Sequence, residues 1–113
     1  MKDMTLNEYQ LLAARTIRAD LTREEVIQHA LLLIPAEYGE LASLHQKELQ
    51  GHDFNMEHAK KELGDIAWGI AEYATAMHWT LDDVFQTNIA KLRARYPDGF
   101  DTEHSVHRKA NDI

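Results

Sequence analysis

The chain has no cysteine, which removes disulfides and thiolate metal sites from consideration. No apolar run approaches the roughly 18 residues that a membrane span requires. The N-terminus, MKDMTLNEYQ, lacks a basic start followed by a greasy core, so no secretory signal is visible. These absences are compatible with a cytoplasmic location. Basic charge is also in short supply: 12 Lys and Arg against 19 Asp and Glu leave a net charge of −7. That balance argues against a protein that coats a nucleic-acid polymer, because phosphate backbones need a basic surface. Enough cations remain for a local anion site, and free nucleotides carried with a metal ion suit the balance better than a duplex. Period-two alternation is missing over any useful length, so strands are not expected. Internal repeats and low-complexity linkers are missing too. What is present is an ordinary folded composition, 44% hydrophobic and 27% charged over 113 residues, the size of a single domain over 1–113 with 98–113 as a candidate extended tail.

Helix-start signals recur along the chain. Thr5-Leu6-Asn7-Glu8 and Thr22-Arg23-Glu24-Glu25 match the capping box, and Thr80-Leu81-Asp82-Asp83 is a near version with Asp in place of Glu. A further start lies near Asn55, after the helix stop Gly51-His52-Asp53. Pro97 ends the last helix, because the residue before a proline is pushed out of helical geometry. These signals predict an all-α four-helix bundle with helices at roughly 5–19, 23–50, 55–78 and 80–95.

Two pairs of acids stand at helical spacing on apolar segments: Glu37 with Glu40, and Glu62 with Asp65. Residues three apart project from nearly the same side of a helix. Glu37 falls inside the apolar stripe of Ile27, Ala30, Ile34, Leu41 and Leu44, a break in the binary pattern of the kind that marks functional positions. Glu62 and Asp65 edge the stripe of Ala59, Leu63, Ile66, Ile70, Tyr73 and Met77, with Gly69 and Ala76 on the same edge. Four carboxylates brought together repel one another, and a sequence that gathers them is usually holding a hard divalent cation such as Mg2+. Solvated helix faces are the bland reading of such pairs, and the burial expected of Glu37 speaks against it. Pro35 predicts a kink or restart just ahead of the first pair. Gly69 either clears space for a ligand or allows close helix packing. On the last helix Asn88, Lys91 and Arg95 form one polar strip beside the apolar Leu81, Phe85, Ile89 and Leu92. Such a strip alone is more often a solvated face, but beside a metal site it becomes a candidate for gripping phosphate oxygens.

Together these blocks resemble the MazG-like nucleoside triphosphate pyrophosphohydrolases, an all-α superfamily with an E-x-x-E and a later E-x-x-D. Here the motif reads Glu37-Tyr38-Gly39-Glu40 and Glu62-Leu63-Gly64-Asp65. The segment Asn88 to Phe100 is similar to the family's N-x-x-K-L-x-x-R-Y-P-x-G-F block. The resemblance implies hydrolysis of a nucleoside triphosphate to the monophosphate and pyrophosphate. It implies Mg2+ or Mn2+ on Glu37, Glu40, Glu62 and Asp65, nucleotide contacts from Asn88, Lys91 and Arg95, and a site built between subunits of a homodimer or homotetramer. Many members carry a further Glu before the first motif acid, where this chain has Ala36.

The chemistry asks one acid to orient and deprotonate the attacking water, and Glu40 or Glu37 is favoured for it. Phosphoribosyl-ATP pyrophosphatase is a neighbouring alternative within the superfamily. A ferritin-like di-metal bundle wants Glu-x-x-His, but positions 43 and 68 are Ser43 and Trp68. A non-enzymatic helical module would leave the acids as solvated faces. Trp68 either covers a subunit contact or stacks on a base. Trp79 reads as packing at a helix junction, and Tyr38 and Tyr96 as core filling. The histidines, His29, His45, His58 and His78 among them, read as surface or satisfied side chains.

Overall fold

The computed structural model describes residues 2–113. It is all-α, with α1 at Leu6–Ala14, α2 at Arg23–Leu49, α3 at Met56–Ala76, α4 at Leu81–Arg95 and a short α5 at Thr102–Val106. No strand occurs among the described residues. Each expected helix start is occupied by a side-chain cap. Thr5, Thr22, Asn55 and Thr80 accept from the backbone N–H three residues on, and Thr22 with Glu25 completes a full capping box. These bonds satisfy amides that helical geometry leaves orphaned.

Helices α2 and α3 form an antiparallel pair that carries most of the tertiary contact. Its register is fixed at several levels. At one end the Arg23 guanidinium donates to the Ala76 carbonyl at 2.7 Å. A few residues along, His29 Nδ1 meets both oxygens of Glu72 at 2.9 Å. Further on, a Cβ placed on Gly69 would lie 2.7 Å from the Ile34 side chain and 2.8 Å from that of Leu33. The glycine therefore serves close helix packing, not ligand clearance.

Helix α1 is stitched to the α3–α4 junction by one buried side chain. Gln10 donates to Thr75 Oγ1 at 3.2 Å and to the Trp79 carbonyl at 2.8 Å, and it accepts from the Leu81 amide at 2.7 Å. Asn7 accepts from the Asp82 amide at 3.1 Å. Two orphan donors at the start of α4 are thus satisfied from α1. The junction itself turns at His78, which takes the left-handed φ of 60° and lets the Trp79 amide reach back to the Ala74 carbonyl at 2.9 Å.

Several expectations are corrected. Helix α1 stops at Ala14, short of residue 19; Thr16 Oγ1 bonds the Ala13 carbonyl at 2.7 Å and accepts from Trp68 Nε1 at 2.7 Å, so it ends the helix and pins the turn. Pro35 is exposed and α2 continues through it, so the helix does not restart there. Tyr38 is 63% exposed and fills no core. The buried face of α3 is also rotated from the expected stripe: Gly69, Ala71, Glu72, Ala74 and Ala76 are buried, whereas Leu63 and Ile70 are exposed. Residues 101–113 contain α5, a helix that the polar sequence did not announce.

Among the described residues the buried apolar side chains are Ala13, Ala30, Ala71, Ala74, Ala76 and Leu81, a thin core with one large residue. Phe85, Ile89 and Leu92 line an uncovered apolar face of α4. The radius of gyration is 17.4 Å, against about 13 Å expected for a compact chain of this length. No helix of the described residues is long and apolar enough to cross a membrane.

Candidate metal and nucleotide site

The antiparallel register sets Glu37 of α2 opposite Glu62 and Asp65 of α3. One carboxylate oxygen from each lies within 4.8 Å of the other two. Glu37 and Glu62 are half-buried and Asp65 is exposed. Glu40, the fourth acid expected at this place, is exposed and outside the close cluster. Its charge still acts on Glu37.

The cluster is electrostatically incomplete. The Glu37 carboxyl is pushed up to about 7, first by a hydrogen bond to Glu62 that it makes only when protonated, then by burial and by the charges of Asp65, Glu62 and Glu40. With the acids ionised, Glu62 Oε2 is buried and has no hydrogen-bond partner. A buried carboxylate oxygen in that condition is costly unless something positive meets it. Three carboxylates on two helices, one of them carrying an orphaned oxygen, fit a divalent cation of the Mg2+ type.

Two neighbours escaped the sequence reading. His58 Nε2 lies 3.1 Å from Glu62 Oε1 and holds that carboxylate by its other oxygen; the i,i+4 spacing on α3 was the available signal. Tyr9 of α1 has its phenol pushed up, mainly by burial and further by the Asp65 charge. It therefore stays a hydrogen-bond donor within electrostatic reach of the cluster. A shallow cavity of about 470 Å³ opens beside the acids, lined by Asn55, His58, Lys61, Glu62 and Asp65.

The polar strip of α4 is placed differently. Asn88 and Lys91 are exposed and Arg95 is half-buried. Lys91 and Arg95 line a separate cavity of about 420 Å³, at the far end of α4. Helix α4 packs on α1 and more lightly on α3, so one chain presents the acidic and basic groups in two distinct cavities. Arg95 is engaged by Asp112 in a two-pronged pair, at 2.8 Å through Nε and 2.7 Å through Nη2. Trp68 is half-buried, packs against the core, and lines a third cavity of about 480 Å³ with Leu21, His29, Leu32 and Glu72. Its ring meets that of His29 edge-on at 6.1 Å.

A helical pair with opposed acidic motifs, followed by a helix bearing a polar phosphate-type strip, describes a class of all-α nucleotide hydrolases. The MazG nucleotide pyrophosphohydrolase domain matches residues 25–100, well over half of the chain, and the protein belongs to that family. No curated protein and no solved structure matches the chain.

Proposed function

We propose that the protein hydrolyses nucleoside triphosphates, ribo- or deoxyribo-, at the α-phosphorus to give the monophosphate and pyrophosphate. Glu37, Glu62 and Asp65 would hold Mg2+ or Mn2+, with Glu40 completing the acidic set. The observation that carries this reading is the half-buried carboxylate cluster with its orphaned Glu62 oxygen, in a chain of the MazG family.

A divalent cation supplies positive charge to phosphate oxygens as negative charge builds in the transition state. The chain's own groups do the rest. Glu62, steadied by His58, and Asp65 fix the acidic wall. Glu40, exposed beside that wall, orients the attacking water and takes its proton; Glu37, whose carboxyl is set near 7, is the alternative base. Asn88, Lys91 and Arg95 receive the departing pyrophosphate, lysine as a point charge and arginine as a planar fork.

Trp68 contributes to the nucleobase side. Glu72, in the lining of its cavity, stands seven residues beyond Asp65, or about 10 Å along the helix. That is a span a nucleotide's sugar bridges. Leu32 and Trp68 offer apolar surface to a flat ring there, and Gln28 and His29 offer polar edges.

The acidic and basic groups have to meet for this chemistry, and assembly is how they would do so. The thin core, the extended shape and the uncovered face of Phe85, Ile89 and Leu92 favour a homodimer or homotetramer with the site at the subunit boundary. Light scattering at micromolar concentration tests this, and a stable monomer counts against it. The activity is tested with a panel of NTPs and dNTPs plus Mg2+. Monophosphate and pyrophosphate should appear together, and EDTA should abolish both. Release of inorganic phosphate with the diphosphate as first product would overturn the reading.

A further inference from the structure

Beyond α4 the chain reverses at Pro97 to Gly99, where Gly99 takes a φ of 92° that a side chain would resist. Residues 101–113 then return to the end of α4. Asp101 caps α5 by accepting from the His104 amide at 2.7 Å, and Tyr96 packs on Phe100 with ring centroids 5.3 Å apart. The result is the 420 Å³ cavity walled by Lys91, Arg95, His104, His107, Arg108 and Lys109, with Asp112 also in its lining. The segment lies outside residues 25–100, so the family match does not account for it.

Both prongs of the Arg95 guanidinium are taken by the two oxygens of Asp112, and the two side chains are only 10% and 14% exposed. A carboxylate seated in an arginine fork occupies the places that two phosphate oxygens would take. The surrounding cations act on it as they would on a phosphate. The Arg95 hydrogen bonds, then the charges of Arg95, Arg108 and Lys91, hold the Asp112 carboxyl below the usual range.

We propose that this cavity is a binding site for pyrophosphate- or triphosphate-type anions, and that Asp112 is its internal occupant, which the anion must displace from Arg95 to enter. This rests on the preceding reading insofar as Lys91 and Arg95 are taken as phosphate contacts. The exchange needs no covalent bond to be made or broken. One anion leaves the fork, another enters, and Arg108 and Lys109 add charge that α4 alone does not provide. The apparent affinity for the anion is then lower than the intrinsic one by the fraction of time that the fork is open. Residues 101–113 thus tune how much polyphosphate is needed to load the site.

The test uses inorganic tripolyphosphate, with no nucleoside and hence no hydrolysis of a nucleotide to follow. Calorimetric titration of the full chain is compared with Asp112→Asn, which keeps the shape and removes the charge. If the fork is occupied nine-tenths of the time, the variant should bind about tenfold more tightly. Equal or weaker binding by a variant that melts like the parent overturns the proposal and leaves Asp112 as a simple latch. A readout on the parent covers the case in which the variant fails to fold. The carboxyl carbon resonance of Asp112 should move to its free-solution position as tripolyphosphate saturates, and no movement, or no binding at all, overturns the proposal. The two readings fail separately. Displacement of Asp112 in a protein that hydrolyses no nucleotide defeats the proposed reaction alone, while hydrolysis with Asp112 unmoved defeats this one alone.

Discussion

Where α2 meets α3, three carboxylates crowd within 4.8 Å and one of their oxygens has no partner. At the end of α4, an arginine and an aspartate saturate each other at 2.7 and 2.8 Å. The first region is complete only when something cationic arrives. The second is complete already and has to surrender a bond to accept an anion. The two therefore respond to ligand with opposite signs. Cation binding at the acids relieves repulsion and should stabilise the fold by mass action, whereas anion binding at the fork replaces one satisfied arrangement with another. The contrast also separates two uses of charge. Like charges held together by packing mark a place that waits for a partner, and opposite charges held together mark a place that is kept closed.

The largest effect should come from making the acidic region resemble the basic one. Glu62→Gln keeps the side chain's shape and supplies the missing donor to the cluster. The metal-free protein should melt higher than the parent, Mg2+ should raise its melting temperature less, and kcat should fall by at least about 100-fold, since even residues behind a metal ligand are worth about 10–100-fold. A variant that melts lower in EDTA and still turns over nucleotide would return the acids to a structural role. Lys91→Ala comes next. It removes a cation from the basic region but spares the Arg95–Asp112 pair, so kcat/KM should drop by about 10–100-fold, as for a lost charge-assisted bond of about 1.5–3 kcal/mol, with no change in the melt. Unchanged kinetics would make the α4 strip an ordinary solvated face. Smaller still, His58→Ala frees one Glu62 oxygen from its anchor, and Mg2+ affinity measured by thermal-shift titration should fall by about tenfold.

The smallest effect is in pH. A Glu37 carboxyl raised from 4.5 to about 7 in the folded chain binds its proton more tightly than in the unfolded chain. Its contribution to stability is therefore full below about 4.5 and is lost as pH rises to about 7. Asp112 and Asp101 are lowered from 3.8, so their contributions are present above that value and are lost only in more acid solution. In EDTA, the melting temperature of the parent relative to Glu37→Gln should fall by a few degrees between pH 4.5 and 7. A flat difference across that window would show that the acidic region is not under repulsion.

Much of this was legible from residues alone. The caps at Thr5, Thr22, Asn55 and Thr80 gave the helix starts because capping is a local, sequence-near interaction. The stripe on α2 was read correctly: Ile27, Ala30, Ile34, Leu41 and Leu44 are all at least half-buried. The buried face of α3 differs from the expected stripe because large residues dominate a periodicity count, whereas the buried positions are mostly small ones, Gly69, Ala71, Ala74 and Ala76. Spacing put Glu37 and Glu40 on one side of a helix. Three residues still leave about 60° between them at 3.6 per turn, and the position of α3 decides which of the two faces it. Residues 101–113 were opaque for a different reason. They carry no apolar period, and the Arg95–Asp112 pair joins residues 17 apart across a glycine turn, which no local rule anticipates.

Gly69 has a consequence for ion choice. It lies one helical turn, about 6 Å, from Asp65, and it lets α2 and α3 approach more closely than a Cβ would permit. The Ile34 and Leu33 side chains rest directly on the Gly69 backbone, so this packing sets the spacing of the two helices near the Glu37 and Asp65 carboxylates and would make the pair a caliper for the radius of a cation held there. Mg2+ wants oxygens at about 2.0–2.1 Å and Ca2+ at about 2.3–2.6 Å. A methyl group at position 69 would wedge the jaws apart, and the preference should drift from the smaller ion toward the larger.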